Sequence, residues 1–171
     1  MSNKIKENKV RLRLYREKDF EFLHGLLSDE VTKKYFPFMY TMEREQTFIR
    51  LRTRLEDQAW GIDTRYVIED MRRKVPVGEV SGRKAKDDPS CMELAVLVHP
   101  DFRGQNFARD GVFEFIKKMR ETKPEITKFR MEIAESNKAS QAVARKLNFK
   151  LKGDKEIGTI RKGTYQYWED K

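Results

Sequence analysis

The chain has one cysteine, Cys91, and two histidines, His24 and His99, among its 171 residues. A lone cysteine makes no internal disulfide, and two histidines without a cysteine pair fall short of a zinc cage. Disulfide-stapled and zinc-held domains are therefore excluded, no metal is expected, and a reducing, cytoplasmic setting is. Cys91 sits in an apolar-rich stretch and reads as a small core residue. Long apolar runs are also lacking. Every apolar stretch is short and cut by charge, so no segment reads as a membrane span. Residues 1–7 carry lysines but no apolar run behind them, so a secretory leader is not expected.

Bulky core material is present, in 11 Phe, 6 Tyr and 2 Trp, against a mean hydropathy of -0.82. That aromatic content separates the chain from charged disordered sequences. The length suits a single domain over 1–171, with residues 1–8 expected to be a flexible basic arm. The net charge is +9, which favours anionic partners. Yet lysines and arginines alternate with acidic residues, as in Lys117-Lys118-Met119-Arg120-Glu121. No RNA-binding aromatic signature or helix-turn-helix pattern accompanies them, so nucleic acid is not the expected partner.

Period-two alternation predicts a strand at Val10–Tyr15, and a helix follows Asp19 over Phe20–Leu27. A second helix opens near Thr41 after Pro37 and carries Phe48, Leu51 and Leu55 on its apolar face. Strands are predicted at Tyr66–Glu69, Val75–Ser81 and Met92–Val98, joined by polar turns. Phe107, Ala108, Gly111, Val112, Phe115, Ile116 and Met119 then form one stripe at helical period, closed by Pro124. Phe129–Ala134 alternates as a strand. Asn137 caps a further helix whose apolar residues are Ala139, Ala142, Val143 and Leu147. The remaining apolar positions, Lys150–Lys152, Ile157–Ile160 and Tyr165–Trp168, give two late strands with an edge through which a homodimer could pair. The strand-helix-strand unit around 103–121 predicts one parallel pair in an otherwise antiparallel sheet.

The chemistry-bearing segment is Val98-His99-Pro100-Asp101-Phe102-Arg103-Gly104-Gln105-Asn106-Phe107-Ala108. A strand passes through a short loop straight into a helix, whose first amides lack intrahelical acceptors and carry the positive end of the helix dipole. Such a turn cradles phosphates. Gly104 and Ala108 remove bulk where a phosphate comes close, and Arg103 adds formal charge.

These residues resemble the GNAT superfamily of N-acetyltransferases. Val98, Pro100, Arg103, Gly104 and Ala108 match that family's pyrophosphate loop. Asn137, Ser140, Ala142, Lys146, Leu147 and Phe149 match its downstream helix, in the branch of ribosomal-protein N-terminal and spermidine acetyltransferases. Asn106 and Asn148 stand where the family has glycine, and Asn is the non-glycine residue that best tolerates a left-handed backbone. Ala144 replaces a tyrosine that many members use to protonate the departing thiolate.

The resemblance implies an α/β single-domain fold with a mostly antiparallel sheet of six to seven strands, one parallel pair and four flanking helices. It implies acetyl transfer from acetyl-CoA to a primary amine by direct attack in a ternary complex, the acceptor being a protein or peptide N-terminus or a small amine. It also implies that Val96, Leu97 and Val98 offer backbone groups to the pantetheine arm, with an irregularity in their strand freeing an amide for the carbonyl. Residues 103–108, that is Arg103, Gly104, Gln105, Asn106, Phe107 and Ala108, hold the diphosphate, and Asn137 contacts the arm. Glu93 is the first candidate base and Glu79 the second. Ser140 is the proton donor, with Tyr167 as a substitute, while His99 reads as loop structure. Polyamines suit so basic a chain poorly, unless Glu17, Asp19, Glu21, Asp29 and Glu30 form an acidic pocket. The alternative is a CoA-binding or nucleic-acid-associated module on the same fold, motivated by Asn106 and the basic run Lys4, Lys6, Lys9, Arg11 and Arg13.

Overall fold

The computed structural model describes residues 9–62, 64–157 and 160–168. The arm at 1–8, with Lys4 and Lys6, lies outside them, as do Gly158 and Thr159 of the late-strand region. The chain order is β1 (Val10–Arg13), α1 (Phe20–Leu27), α2 (Glu30–Tyr35), α3 (Arg44–Ala59), β2 (Arg65–Asp70), β3 (Val75–Lys84) and β4 (Cys91–Val98). It continues with α4 (Phe107–Thr122), β5 (Lys128–Ala134), α5 (Lys138–Lys146), β6 (Lys150–Ile157) and β7 (Ile160–Trp168). Among the described residues there is one helix more than the sequence predicted, the short α2. Its N-cap is Asp29, whose carboxylate accepts from the Val31 amide at 2.9 Å.

The strands form one seven-stranded sheet in the order β1-β2-β3-β4-β5-β7-β6. The β4–β5 pair is parallel and all others are antiparallel. That single parallel pair is the one joined through the α4 crossover, since a parallel neighbour can be reached only by a crossover connection and not by a hairpin.

Alternation gives the sheet two apolar faces, and helices cover both. Met92, Leu94 and Val96 of β4, with Phe129, Met131 and Ile133 of β5, pack against Phe115, Ile116 and Met119 of α4. On the opposite face Val67 and Leu97 meet Leu23, Leu26 and Leu27 of α1 and Leu51 of α3. Each such large side chain removed from water contributes roughly 1.5–3 kcal/mol. Gly111 lets α4 lie close to the sheet, because a Cβ there would fall 2.3 Å from Ile68 Cδ1.

Two helix faces differ from the sequence prediction. On α3 the buried positions are Thr47, Leu51 and Arg54, whereas Phe48 is 58% exposed. The stripe is rotated because Arg54 turns inward. Its guanidinium donates to Glu79 at 2.8 Å, and Arg65 donates to the same carboxylate at 2.6 Å. The Tyr15 hydroxyl completes the set at 2.5 Å. On α5 the structure buries Gln141 and Ala144 and leaves Ala139 and Ala142 exposed. Gln141 turns inward to donate to the carbonyls of Ala134 and Glu135 at 3.1 and 2.8 Å, fixing the corner between β5 and α5.

Candidate active site

β4 and β5 pair only at Cys91–Lys128, Met92–Phe129 and Glu93–Arg130. Beyond Glu93 the two strands part, while β4 stays in unbroken register with β3 from Met92 to Val98. A narrow cleft fills the gap. Leu94, Ala95 and Val96 line it from β4, and Glu132 and Ala134 from β5. Asn137 and Ser140, at the start of α5, lie on it as well. Tyr35 lines it too, its hydroxyl donating to the Ser136 carbonyl at 3.2 Å.

The free edge of β4 has a different origin from the one expected. The sequence reading placed an irregularity within β4, but the β3–β4 ladder is regular, and it is the divergence of β5 that exposes the edge. The His99 amide donates to Val77 O at 2.8 Å. Successive amides of a strand point to opposite sides, so those of Leu97 and Ala95 also turn to β3. Val96 and Val98 therefore direct theirs into the gap. Leu97, grouped with them from the sequence, gives its amide to β3 and its side chain to the core beneath α1 and α3.

At the end of β4 the chain makes a short turn, Pro100–Phe102, capped by His99 Nδ1, which accepts from the Asp101 amide at 3.2 Å. His99 is packed between Phe22 and Phe102, and burial lowers its pKa. It is loop structure, as the sequence implied. Gly104 and Asn106 both take left-handed backbone, at φ 76° and 65°, and Asn148 does so at 62°. The two asparagines thus adopt the conformation that glycine would hold in their places.

Asn106 is the N-cap of α4 but offers no side-chain cap. The first helical bond runs from the Asp110 amide to the Asn106 carbonyl, so the amides before it have no intrahelical acceptor. Cations surround this turn. Lys9 donates to the Gln105 carbonyl at 2.7 Å, and Arg73 to the Gln105 side chain at 3.3 Å. Lys146 donates to Asn106 Oδ1 at 3.2 Å. Arg103 pairs with Asp29 at 2.5 Å, and although burial opposes it, that pair keeps Asp29 below the usual carboxylate range. Bare helix amides, a glycine with room for a close ligand and four cations fit a diphosphate group.

Of the proposed acid–base residues whose side chains are described, only Ser140 lies on the cleft. Asn137 Oδ1 accepts from the Ser140 amide at 3.2 Å, so Asn137 is a cap as predicted. Glu93 belongs to the closed end, its carboxylate 3.0 Å from Arg83 and 3.6 Å from Arg130. Glu79 is 2% exposed beneath α3. Burial would raise its pKa, yet Arg54 and Arg65 hold it at about 2. Tyr167 pairs in register with Phe129. Ala144 is sealed in the core.

Four cleft residues were not singled out from the sequence: Tyr35, Phe36, Glu132 and Lys162. Glu132 carried a signal, as a charged residue inside an apolar strand alternation. Tyr35, Phe36 and Lys162 carried none, since only the fold brings them to the gap. Among the described residues no three metal-ligating side chains cluster, and no helix is long and apolar enough to cross a membrane.

A family model described as an acetyltransferase (GNAT) domain matches residues 9–150. No curated protein matches the chain in sequence. Among solved structures it is similar to a GNAT-family acetyltransferase from Bacillus anthracis, with TM-score 0.79 and 17% identity over 94% of this chain and 95% of that one. It is also similar to the ribosomal L7/L12 alpha-N-protein acetyltransferase RimL in complex with coenzyme A, with TM-score 0.75 and 18% identity over 94% of each chain. A third is spermidine N-acetyltransferase from Vibrio cholerae in complex with CoA and spermine, with TM-score 0.73 and 17% identity over 94% and 95%. At such identities the likeness is one of fold.

Proposed function

The chain belongs to the GNAT acetyltransferase family, and from that premise we propose that it transfers an acetyl group from acetyl-CoA to a primary amine held with it in one ternary complex. The observation that carries this is the β4–β5 gap, lined by Leu94, Ala95 and Val96 of β4 and by Asn137 and Ser140 at the start of α5. Arg103, Gly104, Gln105, Asn106, Phe107 and Ala108 would hold the diphosphate at the start of α4. The outward amides of Val96 and Val98, with Asn137, would hold the pantetheine arm along β4. When bound, acetyl-CoA supplies a thioester carbonyl open to attack by an amine. A strand amide directed into the gap is a preorganised donor for charge developing on that oxygen.

In this reading Ser140, which lines the cleft at the start of α5, gives a proton to the departing thiolate. Glu93, the sequence's first candidate base, has its carboxylate committed to Arg83 and Arg130. Its part in this reading is to anchor the edge where the cleft closes. Glu79 is a structural anion. A peptide N-terminus or small monoamine suits the acceptor side better than a polyamine, because Lys162 lies on the cleft and Lys33 and Lys34 immediately precede Tyr35 in sequence. The buried, unpaired Cys91 goes with a reducing cytoplasmic setting.

The test is thiol release from acetyl-CoA over a panel of short peptides with free N-termini, ethanolamine and spermidine. Turnover is expected with at least one acceptor, and Ser140→Ala is expected to lower kcat about 10- to 100-fold with little change in KM for acetyl-CoA. Binding of acetyl-CoA without thiol release from any amine would support the non-catalytic module instead.

A further inference from the structure

Arg103, the formal charge of the diphosphate turn, is already engaged. Its Nη2 donates to Asp29 Oδ2 at 2.5 Å, from 74 residues away in the chain. The same oxygen accepts the Val31 amide at 2.9 Å and so caps α2. One carboxylate oxygen thus ties the cofactor turn to the start of a helix. The other end of that helix lies at the cleft. Tyr35 closes α2, Phe36 follows it, and both line the gap between β4 and β5. The Tyr35 hydroxyl donates to the Ser136 carbonyl, just before α5. At 1.5 Å per residue, roughly 9 Å of helix joins the two ties.

The cleft has a volume of about 20 Å³. That is room for roughly one water molecule, far too little for a thioester with an amine beside it. Its β4 and β5 walls are fixed in the sheet by their ladders with β3 and β7. The wall made by α2 is the weaker one. Six residues are too few for a helix to persist alone, and Thr32 is the one buried residue α2 contributes. Its hydroxyl donates to the Leu26 carbonyl at 2.8 Å. An element with so little buried surface belongs to the low-stability end of a fold and moves at small cost.

We propose that Asp29 is a positioning residue that latches α2 against the cleft through Arg103, and that the diphosphate of CoA opens the latch by taking the guanidinium. This rests on the acetyl-transfer function proposed above, which makes CoA the ligand of the turn. A carboxylate and a phosphate compete for one guanidinium, because both match its planar fork. With Arg103 turned to the phosphates, Asp29 keeps its cap on Val31 but loses its hold on the turn. Tyr35 and Phe36 can then withdraw, and the cleft widens where thioester and amine must meet. The coupling is reciprocal, so the latch lowers CoA affinity by the factor that CoA binding shifts α2.

The variant that isolates the latch is Asp29→Asn. Asparagine caps a helix as well as aspartate does, so only the charge toward Arg103 is lost. In calorimetric titration with CoA it should bind roughly three- to tenfold more tightly than wild type. Removing any negative charge near the phosphates also tightens binding, so the deciding readout is a double-mutant cycle. In an Arg103→Ala background, Asp29→Asn should change CoA affinity by less than about twofold. Hydrogen exchange reads the helix itself, in the unaltered protein. The amides of Lys33, Lys34 and Tyr35 should exchange faster in wild type saturated with CoA than in wild type alone, and faster in Asp29→Asn before any CoA is added. CoA affinity of Asp29→Asn equal to or below that of wild type, or the same gain with and without Arg103, overturns the latch. So does α2 exchange that slows or stays constant when CoA binds wild type. A wild-type protein that binds no CoA overturns instead the acetyl-transfer function beneath it.

Discussion

Glu79 shows how a single residue can look catalytic and be structural. It sits on the strand beside β4, where a base would be convenient. Yet its carboxylate takes hydrogen bonds from Tyr15, Arg54 and Arg65 with almost no exposure. Glu79→Gln should cost about 3–5 kcal/mol of stability in urea unfolding, because it strands the buried Arg54 charge. The pH dependence follows from the direction of the shift. Glu79 is held at about 2 in the fold against roughly 4.3 when unfolded. Its contribution is therefore complete above about pH 4.3 and drains away as pH falls toward 2. His99 adds to the same trend, since burial favours its neutral form and protonation below about pH 6.5 opposes folding. Thermal melts should show stability falling on acidification, with the lowest-pH part of the fall missing in Glu79→Gln. A variant whose pH profile matches wild type throughout would contradict this account.

At the scale of elements, the turn into α4 was legible because its constraints are local. A glycine, an asparagine fit for left-handed backbone and an amphipathic helix are all written within residues 98–119. The faces of α3 and α5 were not legible. Periodicity scores Phe48 and Ala139 as core, while the real stripes turn on Arg54 reaching Glu79 and on Gln141 reaching the Ala134 and Glu135 carbonyls. A buried charge or amide with distant partners reads as surface in a sequence. Asn106 is where element and ligand meet, with its Oδ1, an acceptor, engaged by Lys146 at the head of α4. Asn106→Gly removes that acceptor and releases Lys146. Relief of the left-handed side chain offsets the added chain entropy, so stability should change by less than about 1 kcal/mol. CoA should bind several-fold tighter by calorimetry. Weaker binding would mean that the Asn106 amide itself donates to a phosphate.

For the whole molecule, the single parallel pair and the antiparallel run from β2 to β4 followed from alternation, polar turns and one crossover helix. The cleft did not. It exists because β4 and β5 stop pairing after Glu93, and it gathers Tyr35, Glu132, Ser140 and Lys162 from positions up to 127 residues apart. No local pattern records where a ladder ends, so the sequence does not mark which side chains the gap brings together. The same architecture puts Arg103 beside the start of α4, paired for the present with Asp29. The central claim is that this turn cradles the diphosphate of CoA. It is tested most directly by calorimetric titration of CoA into wild type and Arg103→Ala. Saturable binding to wild type and affinity lower by about 10- to 100-fold in the variant is the predicted result, the scale of a charge-assisted hydrogen bond. Equal affinity in the two proteins, or no binding by wild type, would contradict it.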